Sequence, residues 1–513
     1  MVLFSDPDSH SPSDESRSEN TLRHDSGHTN GVTRDASPPM EDAEKARDEE
    51  NDSPKPVNFF HSSLKGTRRS VYLGWARTTL ILSVFILSVL AIYWAVQFSV
   101  YKNMASLGVF VVDFDGQLPP YDTGEPPMIG PLVTMAAQKQ MMLAEPPNAV
   151  SPSDPLPHLG WEVRPPSDFD NDPMQVRQAV YNYKAWAAII INANASALVR
   201  QAIAQGNASY DPLGAAQTIY VQARDQTTID TYIVPQLNAM QTEVTSMFGK
   251  QWAQMVLQNA SDPAALANIQ KVPQAVSPGI GFSVFNLRPF GPPVATPAVS
   301  IGLIYLIILS FFSFSFYLPI HMKFINPKGH PPLHFWQLIL WRWISTEAAY
   351  LLLSLSYSLL SLAFQLPFSN SAAPSTEVAN NANNYGRASF VVFWMLNWVG
   401  MTALGLACEN VAMVIGFPWT AMWLIFWVIT NVSTSFYEIA TAPRFYYWGY
   451  AWPLHNIVEA SRTIIFNTHS RIGLNFGILF AWCAVNSALF PLCCYIMRWK
   501  SQREERKQGE KEE

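Results

Sequence analysis

The sequence is short of charge and of cysteine: 14% of its 513 residues are Asp, Glu, Lys or Arg, and four are Cys. A typical soluble domain carries closer to ~25% charged residues, so this chain, 49% hydrophobic and 13% aromatic, is not an ordinary soluble globule. Its cysteines, Cys408, Cys483, Cys493 and Cys494, all fall in long apolar runs. None is left for disulfides elsewhere, and they read as small apolar fillers in preference to redox or metal groups. Catalytic signatures are missing as well. Gly249-Lys250 is followed by Gln251 and lacks the upstream glycine of a GxxxxGK[ST] phosphate loop, so the chain does not hydrolyse ATP by that route. HExxH, GxSxG and paired CxxC are absent, and the expectation is a protein that is not an enzyme, with no cofactor and no nucleic-acid partner.

What the chain has instead is long uncharged runs. Residues 1–57 hold fourteen Asp or Glu against six Lys or Arg, with many Ser and Pro. Such a segment buries too little apolar surface to offset its chain entropy, and it reads as a disordered acidic tail. From Val57 to Thr78 there is no acid, and Lys65, Arg68, Arg69 and Arg77 precede the uncharged run Thr78 to Val100. That run is long enough to cross ~30 Å of hydrocarbon at 1.5 Å per residue. Basic residues ahead of a first span hold that end in the cytoplasm.

Further uncharged stretches lie at Pro289 to Ile320, Ala348 to Gln365, Ala388 to Cys408, Val411 to Tyr437 and Ile472 to Met497. Gly416-Phe417-Pro418 reads as a tight hairpin, with a span beginning near Trp419. The expected fold is an α-helical integral membrane protein of about six transmembrane helices, with both termini cytoplasmic. Arg498, Lys500, Arg503, Arg506 and Lys507 in the tail 499–513, and a loop holding Lys323, Lys328 and Arg342, agree with that orientation. Arg444, Arg462 and Arg471 on the predicted outer side count against it.

Between helices one and two, residues 101–297 are too long and too patterned for a linker, and they predict an extracytoplasmic α+β domain. Leu107 to Gly116 has the apolar run and Asp-Gly ending of a buried strand and turn. Helices are expected near Pro173 to Gln205 and Ala215 to Asn259, and a second strand in Gly281 to Leu287. Asn-x-Ser sequons at Asn194, Asn207 and Asn259 suit a secretory-pathway glycoprotein. Asp113 and Asp115 fit a strand end and turn better than a metal site, which needs more ligands.

Ionisable groups near the membrane carry most of the functional information, because an unpaired charge there costs several kcal/mol. Glu347 is expected near the entrance of span three and Glu409, with Asn410, at the end of span four. Both either reach the headgroup region or line a path. Glu438 to Arg471 holds six aromatics between Pro443 and Pro453, a composition suited to the bilayer interface. From His455 onward, helical spacing puts His455, Glu459 and Arg462 on one face, and segment 443–466 reads as an interfacial re-entrant element. A Glu459–Arg462 pair anchoring that helix and a substrate-contacting face remain equal alternatives.

Val111-Val-Asp-Phe-Asp115-Gly, Trp161-Glu-Val and the block Phe445 to Ile464 resemble the fungal nitrosoguanidine-resistance family of membrane proteins, over roughly Gly74 to Arg498. The one-plus-five arrangement of spans around an outer domain resembles the membrane domain of type-2 ATP-binding-cassette exporters. The resemblance implies drug resistance, export or lipid handling at the plasma membrane, and it transfers no catalytic residues. The leading expectation is a transporter-like permease for amphipathic small molecules or lipids. A non-transporting membrane regulator or scaffold comes second and a membrane-embedded enzyme third. Expected partners are membrane lipids, a small amphipathic substrate, and a second copy of the chain or a partner ATPase.

Overall fold

A computed structural model of the chain describes residues 57–144, 157–259, 262–324, 331, 333–368, 385–416 and 418–512. Apart from Val57, the predicted acidic tail 1–57 lies outside these residues. The chain divides after Arg77 into two units. The described part of the first is the basic start of helix α1 (Ser62–Phe98), where Arg68 donates to the carbonyls of Phe59 and His61 and covers the Phe59 ring.

The second unit opens with the rest of α1, from Thr78 to Phe98, and continues into a mixed α/β domain. Its strands are β1 (Gly108–Asp113), β2 (Gly160–Arg164), β3 (Ala187–Ile191), β4 (Ala216–Tyr220) and β5 (Phe282–Asn286). They form one sheet in the order β2-β1-β3-β4-β5, parallel throughout except where β3 meets β4. Successive strand residues point to opposite faces. Val109 and Val111 therefore join Ile189 and Ile191 beneath helices α2 (Ile129–Ala144) and α5 (Val234–Asn259). Phe110 and Val112 join Ala188 and Ile190 on the other face, against α3 (Pro173–Tyr181).

The expected first and last strands are present, but the two expected helical regions are not continuous. The first is interrupted by β3 and resumes as α4 (Ala195–Gln205), and the second begins with β4. Ala187-Ala-Ile-Ile-Ile191 is buried at all five positions. A short apolar run of this kind shows no period that distinguishes a strand from a helix.

Among the described residues five helices are long and apolar enough to cross a membrane: α1, α6 (Ile304–Met322) with the turns before it, α7 (Phe335–Ala363), α8 (Ser389–Ile415) and α11 (Ile472–Glu512). Large apolar side chains such as Phe316, Leu352 and Leu492 face outward from them, a surface that only lipid or protein can cover. The chain is an integral membrane protein. The sixth expected span is α9 (Trp419–Ser433), whose 15 residues reach about 22 Å at 1.5 Å per residue. The predicted break is present: α8 ends at Ile415, Gly416 has φ +68°, and α9 starts at Trp419, with Phe417 outside the described residues.

Two boundaries differ from expectation. Helix α7 begins at Phe335, thirteen residues before the expected Ala348, so Arg342 lies in the helix instead of in a loop. Helix α8 runs on past Cys408, so Glu409 and Asn410 lie within it instead of ending it. Charged residues inside a span interrupt the uncharged run that sequence reasoning follows. The C-terminal basic set likewise sits on the continuation of α11.

Helix α8 is the hub of the bundle, packing on α6, α7, α9, α11 and the short helix α10 (Pro453–Phe466). Small and polar residues let it do so. A Cβ on Gly405 would fall 2.3 Å from the Tyr350 hydroxyl of α7 and 2.7 Å from Ser310 of α6. Asn397 donates to Ser358 of α7, and Asn410 to the Asn486 carbonyl of α11.

Candidate functional site

Helix α10 begins on Pro453 at its first turn and closes on Asn467 in the left-handed region. Eleven of its fourteen residues are buried. The three that are not are His455, Glu459 and Arg462, the stripe that helical spacing predicts. They face a cavity of about 260 Å³ between the bundle and the sheet domain. Its far wall comes from Tyr183 and Trp186 ahead of β3 and from Arg224 and Asp225 after β4, and its side from Tyr437 and Glu438 after α9.

The stripe does not pair within itself. Arg462 donates to the Arg224 carbonyl at 2.7 Å and to Asp225 at 3.3 Å. Glu459 accepts from Asn475 at 2.8 Å and from Arg471 at 3.5 Å. The expected Glu459–Arg462 pair is thus replaced by two pairs that tie α10 to the sheet domain and to the start of α11. His455 Nδ1 donates to the Thr434 carbonyl at 2.9 Å and its ring meets Tyr450 edge to face. A carbonyl only accepts, so Nδ1 holds the proton in the neutral ring.

Arg224 is held differently. Its guanidinium lies 3.4 Å from the Trp186 ring centre and 4.4 Å from that of Tyr183, and Nη1 donates to the Ala185 carbonyl. Burial lowers its pKa, with Glu438 the strongest opposing charge, yet a guanidinium stays protonated. Among the described residues no carboxylate lies within ion-pair distance of Arg224, and no cation within that distance of Glu438. Glu438 accepts from the Ala440 peptide N–H. Nearby, burial and then Arg471 lower the pKa of His469 and favour its neutral ring. Sequence reasoning missed Arg224, Asp225, Tyr183 and Trp186, because they lie far along the chain and only the fold brings them to α10.

The aromatic segment Arg444–Ala451 is a run of 3-10 turns beside this cavity. Tyr446 is buried and donates to the Ile92 carbonyl of α1 at 2.6 Å, whereas Phe445 and Tyr447 are exposed. Trp452 packs among Trp427, Trp448 and Trp482.

The other two candidates do not line this cavity: Glu409 lies in the last third of α8, and Glu347 sits near the middle of α7 instead of at the entrance of its span, because α7 begins twelve residues before it. Arg342 and Glu409 form a buried ion pair at 2.5 Å. Glu347 accepts from Thr402 at 2.7 Å, and its second oxygen has no hydrogen-bond partner among the described residues. Of the sequons, Asn207 is exposed, while Asn194 is half-buried with its Ser196 locked inside. The Asn259 sequon runs into Ala260 and Ser261, outside the described residues. Asp113 and Asp115 serve the strand end: Asp115 accepts from the peptide N–H groups of Ile129, Gly130 and Ser196 and from the Ser196 hydroxyl.

A family described as "Protein of unknown function (DUF3533)" matches residues 78–488. The chain belongs to that family. The match covers the mixed sheet domain, the cavity and most of the helices, and leaves out both charged ends. An uncharacterized endoplasmic reticulum membrane protein of Saccharomyces cerevisiae is 25% identical over 483 residues, covering 91% of this chain and 87% of the yeast protein. No solved structure matches.

Proposed function

We propose that this DUF3533 chain is a transporter-like membrane protein that moves, or holds for movement, amphipathic small molecules or lipids. The observation that carries this reading is the cavity of about 260 Å³ where α10 faces the sheet domain, with charges inside and exposed aromatic rings beside it. In this reading the sheet domain is extracytoplasmic, both termini are cytoplasmic, and α9 completes six crossings by local thinning of the bilayer. Tyr437 and Glu438 at the sheet-side cavity support that path, since α9 starts near the opposite end of α8. The yeast relative's name supports residence in the endoplasmic reticulum, and the resemblance to nitrosoguanidine-resistance proteins supports the plasma membrane. Energy comes from a partner ATPase or an ion gradient, because the sequence has no phosphate loop of its own.

The test removes an ion pair whole, so that no orphan charge is left. Asp225→Asn with Arg462→Met keeps folding while altering the cavity wall. Loss of toxicant resistance and of dye export from vesicles, at normal protein level, supports the transporter. Unchanged export in the double variant overturns the assignment of the cavity as its site. The regulator reading is favoured by the lack of an energy-coupling motif, and it predicts no vesicle export under either energy source.

A further inference from the structure

The cavity's charges are unequally paired, and those left over specify a ligand. Three guanidiniums (Arg224, Arg462, Arg471) face three carboxylates (Asp225, Glu438, Glu459), so the lining is balanced overall. Two pairs are closed, Arg462 with Asp225 and Arg471 with Glu459. One charge of each sign stays open. Arg224 is braced flat on Trp186 and Tyr183, with only Nη1 committed to a side-chain hydrogen bond among the described residues. Its remaining N–H groups form the planar fork that matches a phosphate ester. Glu438, the strongest opposing charge on Arg224 though outside ion-pair distance of it, shares its part of the lining with the rings of Tyr437 and Tyr450. A carboxylate beside aromatic rings suits an ammonium or quaternary ammonium group.

Resting on the transporter reading above, we propose that the cavity binds a zwitterionic phosphodiester headgroup, phosphate on Arg224 and ammonium at Glu438. An anion alone would leave Glu438 repelling it, and a cation alone would meet Arg224 in the same way. Phe445 and Tyr447 are exposed on the segment that carries the cavity residue Tyr450, and exposed aromatics of this kind favour a bilayer interface, which makes a phospholipid the source of that headgroup over a soluble ester.

The experiment is equilibrium binding of radiolabelled dihexanoyl-phosphatidylcholine to the purified full-length protein in detergent. Competitors are the unlabelled lipid, dihexanoyl-phosphatidic acid and free glycerophosphocholine. Unlabelled lipid is expected to compete at least about tenfold better than phosphatidic acid, through the added cation site. Glu438→Gln keeps an acceptor for the Ala440 N–H, and it should erase that preference without weakening phosphatidic acid. Arg224→Met should weaken both lipids by about tenfold or more, while Arg224→Lys retains part of the binding. Equal competition by phosphatidic acid, or wild-type preference in Glu438→Gln, overturns the proposal. That second variant carries the test even if Arg224→Met fails to fold. Competition by glycerophosphocholine equal to that of the lipid supports the zwitterion site but assigns it a soluble ligand, and weaker competition assigns it the lipid. Selectivity lost with vesicle export intact removes the headgroup and leaves the transporter standing. Selective binding without export does the reverse.

Discussion

Arg342 and Glu409 show how much a single side chain can decide in this molecule. Both are buried, at 2.5 Å from one another, on helices α7 and α8. Removing one partner strands the other charge, which costs about 3–5 kcal/mol, whereas removing both is nearly neutral. Glu409→Gln is therefore expected to lower the thermal midpoint in detergent sharply, and Arg342→Met with Glu409→Gln to recover most of it. A double variant as unstable as the single one would show that the two charges are not coupled. A second residue, Asp113, tests the sheet domain. Burial pushes its carboxyl up to about 6, and Asp115 adds to this against the Asp115 peptide N–H that it accepts from. A carboxyl raised in the folded state is most stabilising while protonated, so its contribution is present below about pH 4 and lost as pH rises through about 6. Asp113→Asn should then raise stability above pH 7 by up to about 3 kcal/mol, since each tenfold change in proton affinity is worth ~1.4 kcal/mol. Melting curves that keep this gap below pH 4 would contradict it. The sequence placed His455, Glu459 and Arg462 on one face correctly, because 3.6-residue spacing is local. Of its two alternatives, the Glu459–Arg462 pair is not formed, because Arg471 reaches Glu459 and Asp225 reaches Arg462 only through the fold.

At the scale of elements, the ends of strands and helices matter more than their interiors. Asp115 follows β1 and receives the first N–H groups of both α2 and α4, donors that have no partner within their helices. Asp115→Ala orphans several buried donors at once, and the expected loss is at least about 2 kcal/mol. Asp115→Asn keeps one accepting oxygen and should lose less. Limited proteolysis of the full chain reads this directly, with cutting expected in the sheet domain first. Equal resistance in the alanine variant would mean that other contacts hold the two helix ends. The Asp-Gly signal made this turn visible in the sequence, but not which helices it caps. Strand β3 stayed hidden because a fully buried run carries no alternation, and β4 because its five mixed residues, Ala216 to Tyr220, are too short a stretch to show a period of their own beside the helical spacing that follows. Helices α7 and α8 were found but cut short at Glu347 and Glu409. A search for uncharged runs stops at a charge, and it cannot see that Thr402 of α8 receives Glu347 or that Arg342 of α7 answers Glu409.

For the whole molecule, composition alone established membrane insertion, while the side on which the sheet domain lies depends on weak local charge. Basic residues flank the start of α1 and the end of α11, and the positive-inside rule puts both in the cytoplasm. In the proposed topology the sheet domain would face the lumen, where its sequons would meet the glycosylation machinery. The structure ranks those sequons. Asn207 is exposed just beyond the C-terminus of α4, and its side chain accepts from Ser209 N–H in a tight turn that a glycan can leave intact. Asn194 starts α4 half-buried, and its serine, Ser196, is bonded to Asp115. A sugar at Asn194 would have to be attached before that contact forms. Asn207→Gln is accordingly expected to abolish a glycosidase-sensitive mobility shift that Asn194→Gln leaves unchanged. On sealed microsomes, added protease should clip the C-terminal end of α11 and spare the sheet domain. Cleavage within residues 101–297 from the cytoplasmic side would invert the topology, and with it the side from which any ligand reaches Arg224 and Glu438.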